Sequence, residues 1–122
     1  MVVFTRGEPD TAQYRRFRIY TQLTPNDPAM MAEILHRRFK HTEWNLPNLI
    51  VLDGGLPQLA VGLKATHTPL VTLAKRQEII FTHQGPIQLS RTSPALKLLQ
   101  HLRDEAHRFA RSYHRQLRDV IR

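Results

Sequence analysis

Asp53 closes the run Leu49-Ile50-Val51-Leu52 and is followed by Gly54 and Gly55. An acidic residue at the end of a buried parallel strand lies where open α/β sheets gather their ligand-binding groups. Its carboxylate oxygens are hard donors suited to Mg²⁺ or Mn²⁺, and two glycines let a phosphodiester backbone approach closely. The same spacing also suits a plain helix cap. His107 sits in Arg103-Asp104-Glu105-Ala106-His107-Arg108-Phe109, at the border of an apolar helix stripe, where an imidazole can ligate a metal or pass a proton to a phosphate leaving group. A histidine at such a border can equally be structural, and Asp104 with Arg108 can be a solvated ion pair. Asp27 is a further catalytic candidate, although a helix cap explains it as simply. For a DNA backbone the candidates are Lys75 and the stepped cations Arg108, Arg111 and Arg115, continued by Arg118 and Arg122 and flanked by His114. An exposed charged helix face would carry the same pattern.

These side chains need elements to hold them. Met1 to Phe4, a turn over Arg6 to Asp10 and an extended Gln13 to Tyr20 predict a hairpin, with Phe17 and Ile19 on one face and Arg16 and Arg18 on the other. Thr24-Pro25-Asn26-Asp27-Pro28 is a helix start. Met30, Met31, Ile34, Leu35 and Phe39 recur at helical spacing to about Lys40. The apolar run from Pro47 to Asp53, a short helix from Gln58 to Lys64 and a second apolar strand from Pro69 to Ala74 form a βαβ unit. Glu78 to Phe81 and Pro86 to Leu89 make another hairpin around His83-Gln84-Gly85. Ser93 and Pro94 then open a helix running almost to Arg122, with Leu99, Leu102, Ala106, Phe109, Tyr113, Leu117 and Val120 as its stripe.

The chain has 122 residues and 41% hydrophobic content, enough for one domain with one core. Eighteen Lys and Arg against ten Asp and Glu give a net charge of +8, so the surface attracts polyanions, with nucleic acid ahead of a membrane surface or a ribosomal neighbour. The absence of cysteine excludes a disulfide scaffold, a thiol nucleophile and a Cys-based zinc site. No apolar run approaches the ~20 residues that span a bilayer, and no signal-peptide pattern opens the chain. A soluble, cytoplasmic protein is expected.

In combination, Tyr14-Arg15-Arg16-Phe17, Leu52-Asp53-Gly54-Gly55 with Gln58-Leu59, Leu73-Ala74-Lys75 with Glu78, and Ser93-Pro94-Ala95-Leu96 through Arg103 to Ala110 resemble the nuclease domain of the UvrC family, over nearly the whole chain. The resemblance implies an α/β, RNase H-like mixed sheet flanked by helices. It also implies a DNA endonuclease of nucleotide excision repair that cuts 5′ to a lesion. A divalent metal, Mg²⁺ or Mn²⁺, would be held by an Asp-Asp-His set to which Asp53 and His107 correspond; Asp27 matches a position linked to incision. DNA and a UvrB-type helicase subunit are the implied partners. The family's domain opens with a central strand carrying Phe-Asp-Ile-Ser-His, whose Asp is the first metal ligand. The present sequence starts after that motif, so an N-terminally truncated domain is expected, and a catalytically inactive DNA-binding or protein-interaction fragment stands as the alternative. A related nuclease with another substrate is a third. Where the family has Lys-Gly after the glycine pair, Leu56-Pro57 stands here, which removes a positive charge and stiffens the turn.

Overall fold

The computed structural model describes residues 1–16, 27–74 and 78–121, with backbone alone for 27 and 113–121. The chain divides into two compact units, one of residues 1–17 with 90–122 and one of residues 18–89.

The 18–89 unit is an α/β layer structure built on a mixed sheet. Helix α1 spans Asp27–Phe39, followed by strand β3 (Ile50–Asp53), helix α2 (Leu56–Ala65), strand β4 (Leu70–Leu73) and the hairpin of β5 (Ile79–Thr82) and β6 (Gly85–Gln88). Strands β1 and β2 belong to the other unit. Among the described residues the sheet has four strands in the order β3-β4-β5-β6. β3 and β4 are parallel, with Ile50 opposite Leu70 and Asp53 opposite Leu73, and the remaining pairs are antiparallel. The βαβ reading and the second hairpin therefore hold, with β3 and β4 one to three residues shorter at their ends than the apolar runs suggest, and β5 and β6 each shifted by one residue toward their turn.

What brings the crossover helix onto the sheet is a glycine. Leu35, Leu52, Leu59 and Leu70 form the buried cluster, with Met31, Phe39, Ile50 and Phe81 packed around it. Gly62 lies on the buried face of α2, and a Cβ there would stand 2.7 Å from Leu70 Cδ1 and 3.1 Å from Leu52 Cδ1. The helix backbone thus rests directly on one side chain from each parallel strand. The outer side of α2 stays open, with Leu56 61% and Leu63 41% exposed.

The other unit opens with a tight hairpin of β1 (Phe4–Thr5) and β2 (Glu8–Pro9). Arg6 at φ 55° and Gly7 at φ 81° give both central residues the positive φ that a two-residue hairpin turn needs. The sequence pattern placed the second arm at Gln13 to Tyr20, and here the structure corrects it. Glu8–Pro9 is the arm, and a 3₁₀ turn over Thr11–Gln13 follows. Asp10 N–H still donates to Val3 O at 2.8 Å before that turn, and pairing resumes after it, where Arg15 N–H donates to Met1 O at 3.2 Å. Asp10 drives the interruption: its Oδ2 accepts from Thr5 Oγ1 at 2.9 Å and Gln13 Nε2 at 2.6 Å, a local turn that competes with the ladder. The expected facing of Phe17 and Ile19 falls outside the described residues.

Helix α3 runs from Pro94 to Ile121. Ser93 caps it, with Oγ 3.5 Å from Leu96 N–H and its carbonyl accepting from Lys97 N–H at 3.1 Å. The expected stripe is visible as far as Phe109, since Leu99, Leu102, Ala106 and Phe109 are half-buried, while the side chains of its later members lie outside the described residues. Among the described residues no helix is long and apolar enough to cross a membrane.

Overpacking a filled core typically costs a few kcal/mol. Replacing Gly62 by Val should lower stability by ~2 kcal/mol, read as a drop in the urea midpoint with little change in slope; an unchanged midpoint would show that α2 can lift off the sheet without loss.

Candidate active site

At the carboxyl end of β3 the ladder runs one residue past the strand, with Gly54 N–H donating to Leu73 O at 3.1 Å. This fixes the main chain on both sides of Asp53. The Asp53 side chain is half-buried and its Oδ1 is enclosed. Gly54 then takes φ +147°, a conformation that L side chains rarely adopt, and an added Cβ would lie 2.5 Å from Gln58 Cδ. Gln58 occupies that space for a reason. Its Oε1 accepts the Gly55 N–H at 2.8 Å, which is one half of a capping box; a glycine has no side chain to return the other half. The cap position of α2 is therefore Gly55, so the plain cap role considered for Asp53 does not describe this helix start. Thr72, fully buried on β4, places its hydroxyl 3.5 Å from Gly55 O and steadies the same turn from beneath.

Leu56 and Pro57, where a Lys-Gly pair was anticipated from the family pattern, form the first turn of α2 itself. The position thus presents an exposed apolar side chain beside the acidic strand end. Glu78 enters the same end of the sheet from β5, where Ala74 N–H donates to Ile79 O at 2.9 Å. Its φ of 52° is rare for a residue with a side chain. Nothing in its sequence context announced that conformation.

The second set of candidates lies on α3, in the other unit. His107 is half-buried there. Arg108 does not pair with Asp104, which lies 3.5 Å from Arg103 Nε. It is turned instead to Glu105, which accepts from its Nε at 2.5 Å and its Nη2 at 2.9 Å. Glu105 also accepts the Tyr14 hydroxyl at 2.8 Å. Around this pair Tyr14 meets Phe109 edge to face at 5.1 Å, and the Arg16 guanidinium lies 4.4 Å over the Phe109 ring. Tyr14, Arg16 and Phe109, members of two motifs far apart in the chain, are thus one cluster organised by Glu105. Arg111, one turn on, is exposed. The side chains of Asp27 and Arg115, and all of Lys75, fall outside the described residues.

Charge follows from these contacts. The Arg108 guanidinium, aided by the Tyr14 hydroxyl, holds the Glu105 carboxyl down at about 2. Burial, with the bond to Glu105 and its charge, pushes Tyr14 up to about 12. Arg108 is raised in turn by its bonds to Glu105.

As for a metal, no three His, Asp or Glu side chains come together as a cage among the described residues. Asp53 nonetheless fits as one ligand, since Mg²⁺ is commonly held by one or two carboxylates with water and phosphate oxygens completing its shell.

An acidic residue at the carboxyl end of a parallel pair, next to a glycine turn in a mixed α/β sheet, lies where such sheets place their ligand-binding groups, a class of site shared by many activities. Comparison with known proteins narrows it. The family model for the UvrC RNase H endonuclease domain matches residues 1–110. The UvrABC system protein C of Chlorobium phaeobacteroides is 48% identical, aligned over 97% of this chain and 20% of that protein. Those of Dictyoglomus thermophilum and Methanothermobacter thermautotrophicus are 46% and 43% identical over 96% and 98% of this chain, and each is covered over 21% of its own length. The chain therefore belongs to the UvrC RNase H endonuclease domain family and has its RNase H-like α/β fold. It spans about a fifth of the length of these relatives.

Two consequences can be measured. Gly54→Ala should cost about 1–3 kcal/mol through its strained φ and the displaced Gln58, with faster amide exchange at Gly55. Gly55→Ala, whose Cβ would lie 4.0 Å from Phe81 and Pro57, should be nearly neutral; equal effects would mean that the Gln58 clamp does not set the turn. The Glu105 carboxyl is depressed on folding, so its contribution is fully present above its unfolded value of about 4.3 and is lost as pH falls toward about 2. Tyr14 is raised, so its contribution is present below about 10 and is lost as pH rises through about 12. Glu105→Gln should cost about 1 kcal/mol at neutral pH. The gap in melting temperature from the parent should close below pH ~4, and a gap independent of pH would remove Glu105 as the organising charge.

Proposed function

We propose that this chain is the incising domain of a nucleotide excision repair nuclease, one that hydrolyses a DNA phosphodiester on the 5′ side of a lesion. The observation that carries this reading is Asp53 at the end of the parallel β3–β4 pair, beside the glycine turn of Gly54 and Gly55, in a chain of the UvrC endonuclease domain family. Asp53 would be a ligand for Mg²⁺ or Mn²⁺, and His107 a second ligand or the proton donor to the leaving oxygen. When bound, the ion would supply Lewis-acid stabilisation of the phosphate and a more acidic water. Asp27 would be a further incision residue at the start of α1.

DNA enters through charge. A net charge of +8 draws the backbone, and Arg111, with Lys75 and Arg115, would position it without reading sequence. Arg108 would contribute less as a cation, because Glu105 already holds its guanidinium. The relatives' name, UvrABC system protein C, supports a place in a multi-component system, in which a UvrB-type helicase subunit in the cytoplasm would be the partner. A second reading, a non-catalytic DNA-binding remnant, is favoured by the lack of a three-ligand cluster among the described residues.

The two readings part in one assay. Lesion-bearing supercoiled DNA should be nicked by the purified chain with Mg²⁺ or Mn²⁺. Asp53→Asn and His107→Ala should each reduce nicking by about 100-fold or more while DNA binding stays nearly intact. No nicking by the parent, with binding that falls steeply with salt, would establish the remnant instead; equal loss of nicking and binding would remove the assigned roles.

A further inference from the structure

The segment that closes α1 and leads toward β3 contains an ordered stack that the Asp53 site does not use. Arg38, a cation in the last turn of α1, is only 8% exposed. Its Nη2 donates to the Asn45 carbonyl at 2.6 Å, and its guanidinium carbon lies 5.2 Å from the Trp44 ring centroid and 5.7 Å from that of Phe39. Trp44 in turn carries His41, with ring centroids 3.9 Å apart and planes 7° from parallel. His41 Nδ1 meets Glu43 Oε1 at 2.7 Å, a contact made at the ring edge through a nitrogen rather than by stacking. One face of the imidazole is covered by Trp44, and its side chain remains 44% exposed.

A buried arginine therefore sets the loop and its tryptophan, and the tryptophan sets a flat ring that looks outward. Holding an exposed loop ring in one orientation costs conformational entropy, and His41 adds nothing to the buried cluster in return. Lys40 is exposed next to it, and Arg37 is partly exposed while paired with Glu33 at 3.7 Å. A planar π surface beside cations is what an unstacked nucleobase on a phosphate backbone requires. Paired duplex offers no free base face to such a ring, so the complementary ligand is single-stranded.

We propose that the Arg38–Trp44–His41 stack is a platform on which an unpaired base of single-stranded DNA stacks, with Lys40 meeting the adjoining phosphate. The proposal rests on the DNA-acting reading above but not on catalysis at Asp53. Trp44 is the only tryptophan in the chain, so its emission reports the contact directly. Titrating the full chain with a thymidine oligonucleotide should quench Trp44 saturably. An abasic strand of equal length and charge should bind without that quench. His41→Ala should weaken oligonucleotide binding about tenfold and leave affinity for blunt duplex unchanged. Asp53→Asn should keep the quench whether or not the parent nicks DNA, which separates failure of this proposal from failure of the nuclease reading. Absence of oligonucleotide binding, saturation with unchanged emission, equal quenching by the abasic strand, or parental affinity in His41→Ala would each overturn it.

Discussion

The 18–89 unit depends on how closely α2 can approach β3 and β4. Gly62 permits that approach, because its missing side chain leaves room for Leu52 and Leu70 together. A right-handed crossover joins two parallel strands only if its helix packs back on the sheet. Every later feature of the unit follows from that contact. The parallel register puts Asp53 opposite Leu73, the ladder then carries Gly54, and the helix begins three residues beyond Asp53 with Gly55 as its cap.

The turn after Asp53 is consequently constrained from three directions. Leu73 O holds the Gly54 amide, Gln58 holds the Gly55 amide, and buried Thr72 lies under the Gly55 carbonyl. Such support holds the main chain that follows Asp53 without a side-chain cap at the helix start, and a side chain on so constrained a backbone is positioned by a rigid element. The cost is local: Gly54 at φ +147° and Glu78 at φ 52° are the unusual backbone conformations at this end of the sheet among the described residues.

In the other unit a single carboxylate plays the organising part. Glu105 accepts from Arg108 and from Tyr14, and Phe109 receives the edge of Tyr14 and the guanidinium of Arg16. The N-terminal hairpin segment and α3 are thereby tied through polar and aromatic contacts. The basic character of the helix is correspondingly unequal, with Arg108 neutralised by a neighbour and Arg111 left exposed.

Much of this was legible in the order of residues. Apolar runs bounded by Gly and Pro marked β3, β4 and the β5–β6 hairpin, and the three-and-four stepping of Leu99, Leu102, Ala106 and Phe109 marked α3, because such periodicities reflect which faces must leave water. The motif order also identified the family, which a comparison of whole chains bears out. Other features depend on contacts between distant positions and have no local signature. The first hairpin is interrupted by a 3₁₀ turn because the Asp10 carboxylate bonds Thr5 and Gln13 locally. Arg108 turned to Glu105 and not to Asp104, a choice among neighbours on one helix that Tyr14, ninety-one residues away, helps to settle. Arg38 carried the charge of a surface residue, yet the Asn45 carbonyl and the Trp44 ring drew it inward. Composition and periodicity thus determined the elements and the acidic strand end at Asp53, since both depend on local burial pattern. Which polar group meets which was decided only in the folded chain, because hydrogen-bond partners are selected by proximity in space and not by spacing in sequence.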